Sequence, residues 1–159
     1  IKEAGLLVLL NHYMARRYGE VPFGDDFNVR VAPQNHDALL KLVQDQIPAN
    51  RMPLLVGVGD TVTSNPSADG ATWLRGGSDR GFLTLLQSLG AWSGRENRVV
   101  LVDSSHGEVD RPSLSDPALT GISDSDDPLR LDVLMTAGPE QYINWFRQLA
   151  DQRASALAN

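Results

Sequence analysis

The chain reads as an α/β protein in which a parallel sheet is flanked by helices. Two observations carry this expectation. The runs PLLVGVG (53–59) and RVVLVD (98–103) are short and continuously apolar, the pattern of strands buried on both faces. Stretches of helical periodicity lie before, between and after them. Strands that alternate with helices in this way predict a Rossmann-like parallel sheet with short connections.

The elements follow in order. Residues 2–17 (KEAGLLVLLNHYMARR) place Leu6, Leu7, Leu9, Leu10, Tyr13 and Met14 on a wide apolar face. Arg16 and Arg17 suit the negative end of that helix dipole, and Gly19 follows as a stop. Residues 20–34 read as irregular. A second helix is expected over about 36–47, capped by Asn35 and ended by Pro48. After the first strand a polar loop runs from Asp60 to Ser78. Ser78 or Asp79 then caps an amphipathic helix, DRGFLTLLQSL, closed by Gly90. Residues 104–128 are rich in Ser, Asp, Pro and Gly and read as a long loop or insertion. LRLDVLM (129–135) alternates weakly, as an edge strand does. GPEQYINWFRQLADQ (138–152) is a final helix with Tyr142, Trp145, Phe146 and Leu149 facing inward. With no internal repeat, residues 1–159 are expected to form a single α/β segment.

Composition narrows the partners. The formal charge is −6 and the basic residues are scattered, which argues against a nucleic-acid backbone. The chain has no cysteine, so disulfides, thiolate metal sites and a cysteine nucleophile are excluded. No apolar run reaches the roughly 18 residues a membrane span needs, and no secretory leader is visible. Cytoplasmic location without a membrane partner is the expectation. Ile1 stands where a methionine would start a reading frame, and helical periodicity begins at once, so the chain reads as a piece of a longer protein.

Candidate chemistry gathers where open parallel sheets bind ligands, beyond the carboxyl ends of the strands. Asp60 follows a buried strand directly. Alone it is as well explained by a turn. Asp79 opens the next helix behind Gly76, Gly77 and Ser78, and alone it is an ordinary N-cap. Together, a strand end and the next helix start can converge, and two carboxylates without cysteine or paired histidines suit Mg²⁺. Lys2 sits at the start of a helix, where a cation opposes the dipole by about 0.3–1 kcal/mol. A solvated lysine is the plain reading, and a bound phosphate is the functional one.

The ordered set KEAGLLVLL, LLVGVGDTVTS and GGSDRGFLTLL resembles the later motifs of the haloacid-dehalogenase-like (HAD) phosphatases, and within them the sugar-phosphate branch. The resemblance covers residues 1 to about 110 and implies the C-terminal half of a HAD-like core. It implies that Asp60 holds Mg²⁺, that Asp79 completes or orients the metal shell, and that Lys2 neutralises phosphate charge. Thr61 and Ser78 would lie near the phosphate. The implied substrate is a small sugar phosphate, glucosylglycerol phosphate in particular, handled in compatible-solute synthesis under salt stress. The Asp60–Asp79 spacing is longer than the family's usual one. The nucleophile belongs in an Asp-x-Asp turn before the lysine helix, with the substrate-selecting cap, and both would come from an N-terminal part of the same protein. The Asp-x-Asp within this chain, Asp124-Ser125-Asp126, reads instead as a solvated acidic loop, so this chain alone is expected to be inactive.

Two other functions stay open on the residues. GVGDTV could belong to a Rossmann-like nucleotide or cofactor module, although it lacks the third glycine of the dinucleotide fingerprint. An inactive structural fragment is the other. His106 and Glu108 after Asp103 are better read as loop residues than as a metal cluster, and Ser104-Ser105-His106 lacks the Gly-x-Ser-x-Gly turn.

Overall fold

A computed structural model describes residues 2–107, 111, 113–114 and 122–157. Helix α1 spans Lys2–Tyr18 and stops at Gly19, whose φ of 70° closes the last turn. Helix α2 spans His36–Gln46, and the Asn35 side chain accepts from the Ala38 amide as its N-cap. Strand β1 (Val56–Gly59) is followed by two short strands, β2 (Thr63–Pro66) and β3 (Trp73–Gly76). Helix α3 (Arg80–Ser93), strand β4 (Arg98–Val102), strand β5 (Val133–Met135) and helix α4 (Pro139–Leu157) complete the chain.

The sheet is parallel in the order β1-β4-β5, with Val58 opposite Val100 and Leu101 opposite Leu134. The continuous apolar run of β4 is explained by its two buried faces. Val99 and Leu101 join a core built with Leu7, Leu10 and Met14 of α1, Val43 of α2 and Leu83 and Leu89 of α3. Val100 and Val102 point the other way, to Met135, Tyr142 and Trp145. Helices therefore cover both faces, as expected. The 129–135 stretch forms a strand only over its last three residues, at the sheet edge.

Three expectations need correction. The 60–78 loop is not irregular: β2 and β3 pair antiparallel, with Ser64 opposite Arg75, and turn through Gly70. Helix α3 runs past Gly90 to Gly94, the residue with the left-handed φ of 71°. Gly90 lies inside the helix, and a glycine is needed there because a Cβ would lie 2.9 Å from the Arg95 carbonyl oxygen. In α4, Tyr142 and Trp145 pack on the sheet, but Phe146 and Leu149 are exposed, since one helix covers only the narrow β4–β5 face. Of the expected loop at 104–128, residues 108–110, 112 and 115–121 lie outside the described residues, Glu108 among them, and the described ones carry no helix or strand.

Candidate active site

Three chain starts and ends converge beyond β1. Asp60 leaves the carboxyl end of β1, Asp79 precedes α3, and Lys2 opens α1. The approach depends on two glycines. A Cβ on Gly59 would lie 2.8 Å from the Asp79 Cβ, and Gly77 has a φ of 99° with the Thr61 carbonyl against it. The β2–β3 hairpin consumes the long spacing between the two aspartates, so that the Asp79 amide donates to Thr61 O at 3.1 Å.

Asp79 stands at the N-cap position of α3, yet its side chain makes no cap hydrogen bond. It turns the other way. Oδ2 accepts from the amides of Asp60 and Thr61, each at 2.9 Å, and Oδ1 accepts from Lys2 Nζ at 2.5 Å. Lys2 Nζ also donates to Ser78 Oγ at 3.3 Å. The capping explanation of Asp79 therefore fails on geometry. Burial raises the Asp79 carboxyl, and the hydrogen bonds from Lys2, Asp60 and Thr61 more than offset this, holding it below its ordinary range. Lys2 is thus held by a buried partner at the head of its helix, not merely solvated.

Asp60 differs. Its side chain is 41% exposed, and it accepts from Thr61 Oγ1 at 2.7 Å and from the guanidinium of Arg111. All five residues expected at the site, Lys2, Asp60, Thr61, Ser78 and Asp79, are brought together.

Sequence reading missed the next ring. Arg111 Nη1 also donates to Ser104 Oγ at 3.0 Å, and Ser104 follows β4, the strand beside β1. Buried Asp103, at the end of β4, accepts from the Ser105 amide (2.9 Å) and hydroxyl (2.6 Å), and from Ser113 Oγ (3.0 Å) and the Leu114 amide (2.9 Å). Burial opposes its ionisation and these donors outweigh it, so its carboxyl lies far below the usual range. The signal for this ring was the strand order: adjacent parallel strands put Asp60 and Asp103 at one sheet edge.

A second network braces the hairpin. Asp124 accepts from Ser64 Oγ at 2.6 Å and Arg75 at 3.1 Å, and buried Asp127 accepts from Arg80 Nη1 at 2.7 and 2.8 Å. The reading of Asp124-Ser125-Asp126 as a solvated acidic loop therefore needs correction at Asp124, whose side chain is buried in this network, while Ser125 and Asp126 are exposed in a loop as expected. The network clamps β2, β3 and the start of α3 in place.

The donor set fits a hard divalent cation. Both carboxylates have both oxygens hydrogen-bonded, but Asp79 is buried on Lys2 and two backbone amides, whereas Asp60 is the solvent-exposed one of the pair, on the Thr61 hydroxyl and the Arg111 guanidinium. Among the described residues no group of three or more His, Asp or Glu gathers to cage a metal. One or two carboxylates completed by water and phosphate oxygens is the manner of Mg²⁺.

A parallel α/β core with a lysine helix, a strand-end aspartate and a second aspartate at the next helix defines a HAD-like fragment. The sequence profile of the glucosylglycerol-phosphate phosphatase family matches residues 1–150, and the chain belongs to that family. Over 164 aligned residues it is 43% identical to the glucosylglycerol-phosphate phosphatase of Synechocystis sp.. The alignment covers 96% of this chain and 39% of that relative, so the chain spans well under half of the relative's length. No solved structure matches the chain. Among the described residues, no helix is long and apolar enough to cross a membrane.

Proposed function

We propose that the complete protein is a Mg²⁺-dependent sugar-phosphate phosphatase, with glucosylglycerol phosphate as its substrate. The observation that carries this is the convergence of Lys2, Asp79 and the Asp60–Thr61 turn at the carboxyl end of β1. Asp60 is the residue to hold Mg²⁺, and Asp79 orients the shell by fixing the turn and the lysine. Bound Mg²⁺ would supply positive charge to the phosphate oxygens. Lys2, fixed by Asp79, offers the same phosphate an ammonium, with Thr61 and Ser78 beside it. A cation about 4 Å from a phosphate oxygen stabilises by about 4 kcal/mol at an effective dielectric near 20. Transfer of a phosphoryl group depends mainly on such positioning and electrostatics. The substrate follows from the relative's name, and we assign the reaction to cytoplasmic compatible-solute synthesis under salt stress.

The nucleophile is assigned to the part of the protein that this chain lacks. One edge of β1 carries no strand among the described residues, and beside it lies an apolar groove of about 690 Å³ lined by Leu6, Leu9, Tyr13, Leu54, Val56 and Phe82. Leu9, Leu54 and Val56 are exposed there. A strand of the complete protein laid in this groove would end beside Lys2 and Asp60. The nucleotide-module reading finds less support, because Gly57 and Gly59 are taken up by packing against Leu83, Leu86 and Asp79 of the helix start.

The test is a screen of the complete gene product on sugar-glycerol, disaccharide and nucleotide phosphates. We expect hydrolysis of the sugar-glycerol phosphate, lost in chelator and restored by Mg²⁺. Full activity in chelator would end the metal assignment. No turnover of any phosphomonoester would end the phosphatase reading.

A further inference from the structure

We infer that Arg111 is a third cation of the phosphate site, held on Asp60 until a divalent ion takes that carboxylate and then offered to the substrate anion. This rests on the phosphatase reading above and adds a phosphate-binding residue to it.

Asp79 is buried on Lys2 and two amides, whereas Asp60 is exposed, with the Thr61 hydroxyl on one oxygen and the Arg111 guanidinium on the other. A guanidinium and a divalent cation cannot share that oxygen without strong like-charge repulsion. A cation on that oxygen would displace Arg111 from it, and Ser104 Oγ, its other partner among the described residues, would keep it at the site's rim. A planar fork of donors there matches two phosphate oxygens better than an ammonium would.

The position of Arg111 is not left to a free arm. Asp103 fastens both stems of the excursion that carries it, through Ser105 on one side and Ser113 and Leu114 on the other. Ser104 Oγ also reaches the Asp60 carbonyl at 3.4 Å, tying the exit of β4 to the exit of β1. Asp103 is thus a positioning residue for Arg111.

The test uses the complete gene product and three measurements: inhibition by inorganic phosphate, the KM–kcat split, and Mg²⁺ binding by calorimetry without phosphate. In Arg111→Gln the inhibition constant of phosphate and KM should rise roughly 10- to 100-fold, the worth of a charge-assisted hydrogen bond, with kcat changed less. Mg²⁺ should bind roughly two- to fivefold more tightly, since a competing surface cation is gone. Arg111→Lys should recover only part of the phosphate affinity. Ser113→Ala, which cuts one strut away from the site, should move both constants in the same directions by less. Unchanged phosphate inhibition, or weaker Mg²⁺ binding in Arg111→Gln, would overturn the inference. If wild type is active and Arg111→Gln matches it, this inference alone fails; if wild type hydrolyses nothing, the phosphatase reading fails.

Discussion

Asp60 and Asp79 are the same residue type at one sheet edge, yet their surroundings are opposite. The Asp79 side chain is 5% exposed and both of its oxygens are occupied. The Asp60 side chain is 41% exposed, and its two oxygens are met by the neighbouring Thr61 hydroxyl and the Arg111 guanidinium rather than by backbone amides. Saturation makes a carboxylate part of the scaffold, whereas openness leaves it available to a ligand. The pair divides the labour: one builds the turn and the other presents its charge.

The division is broken most directly at the open member. Asp60→Asn keeps the shape and removes the charge that a cation needs. We expect turnover of the complete protein to fall roughly 10²- to 10³-fold, comparable to loss of one electrostatic group from an active site. The melting temperature should stay within about 2 °C of wild type, because a surface ion pair contributes little. Near-native turnover would remove Asp60 from the site, and a large drop in melting temperature would make it a scaffold residue like its neighbour.

Asp79→Asn should behave differently. One end of the new amide must be an NH₂ group, and it meets either the Lys2 ammonium or the two backbone amides, donor against donor. A loss of about 1–3 kcal/mol in stability is expected from the unsatisfied buried groups, together with lower activity as the Asp60–Thr61 turn relaxes. Denaturant unfolding measured beside turnover separates the two variants. Equal stability of Asp79→Asn and Asp60→Asn would erase the contrast.

Periodicity made the scaffold legible, and short polar segments hid the rest. The α1, α2 and α3 faces and both buried strands follow from apolar spacing, since burial on one stripe or on two faces leaves a visible pattern. The convergence of Lys2, Asp60 and Asp79 was legible as strand-end and helix-start positions. The hairpin was not, because TSNP and WLRG carry no alternation, and their pairing is braced by Asp124 and Asp127 from about fifty residues away. Such ion pairs across long sequence separations have no local signature. Arg111 was missed for the same reason. It reaches Asp60 only because β4 lies beside β1 and Asp103 folds the intervening stems. The outward placement of Phe146 and Leu149 marks the reverse error: their apolar spacing is real, but the sheet beneath α4 is too narrow to cover it.

The smallest effect is a matter of pH, and it extends the contrast to Asp103, the second saturated carboxylate. Its carboxyl lies well below the unfolded value of about 3.9. Between those two values the unfolded chain binds the proton and the folded one does not, so stability rises with pH there. The stabilisation is complete above the unfolded value and is lost as pH falls toward the folded one. Urea midpoints of the complete protein should therefore drop between pH 5 and pH 3, with other lowered carboxylates such as Asp79 contributing. In Asp103→Asn the midpoint should start lower at pH 5, because an NH₂ group now faces the donors of one stem, and it should fall less steeply. The difference between the two curves isolates Asp103 from every other carboxylate. Parallel curves would mean that its four hydrogen bonds bind the protonated and ionised forms alike, and that the loop carrying Arg111 is not held by charge.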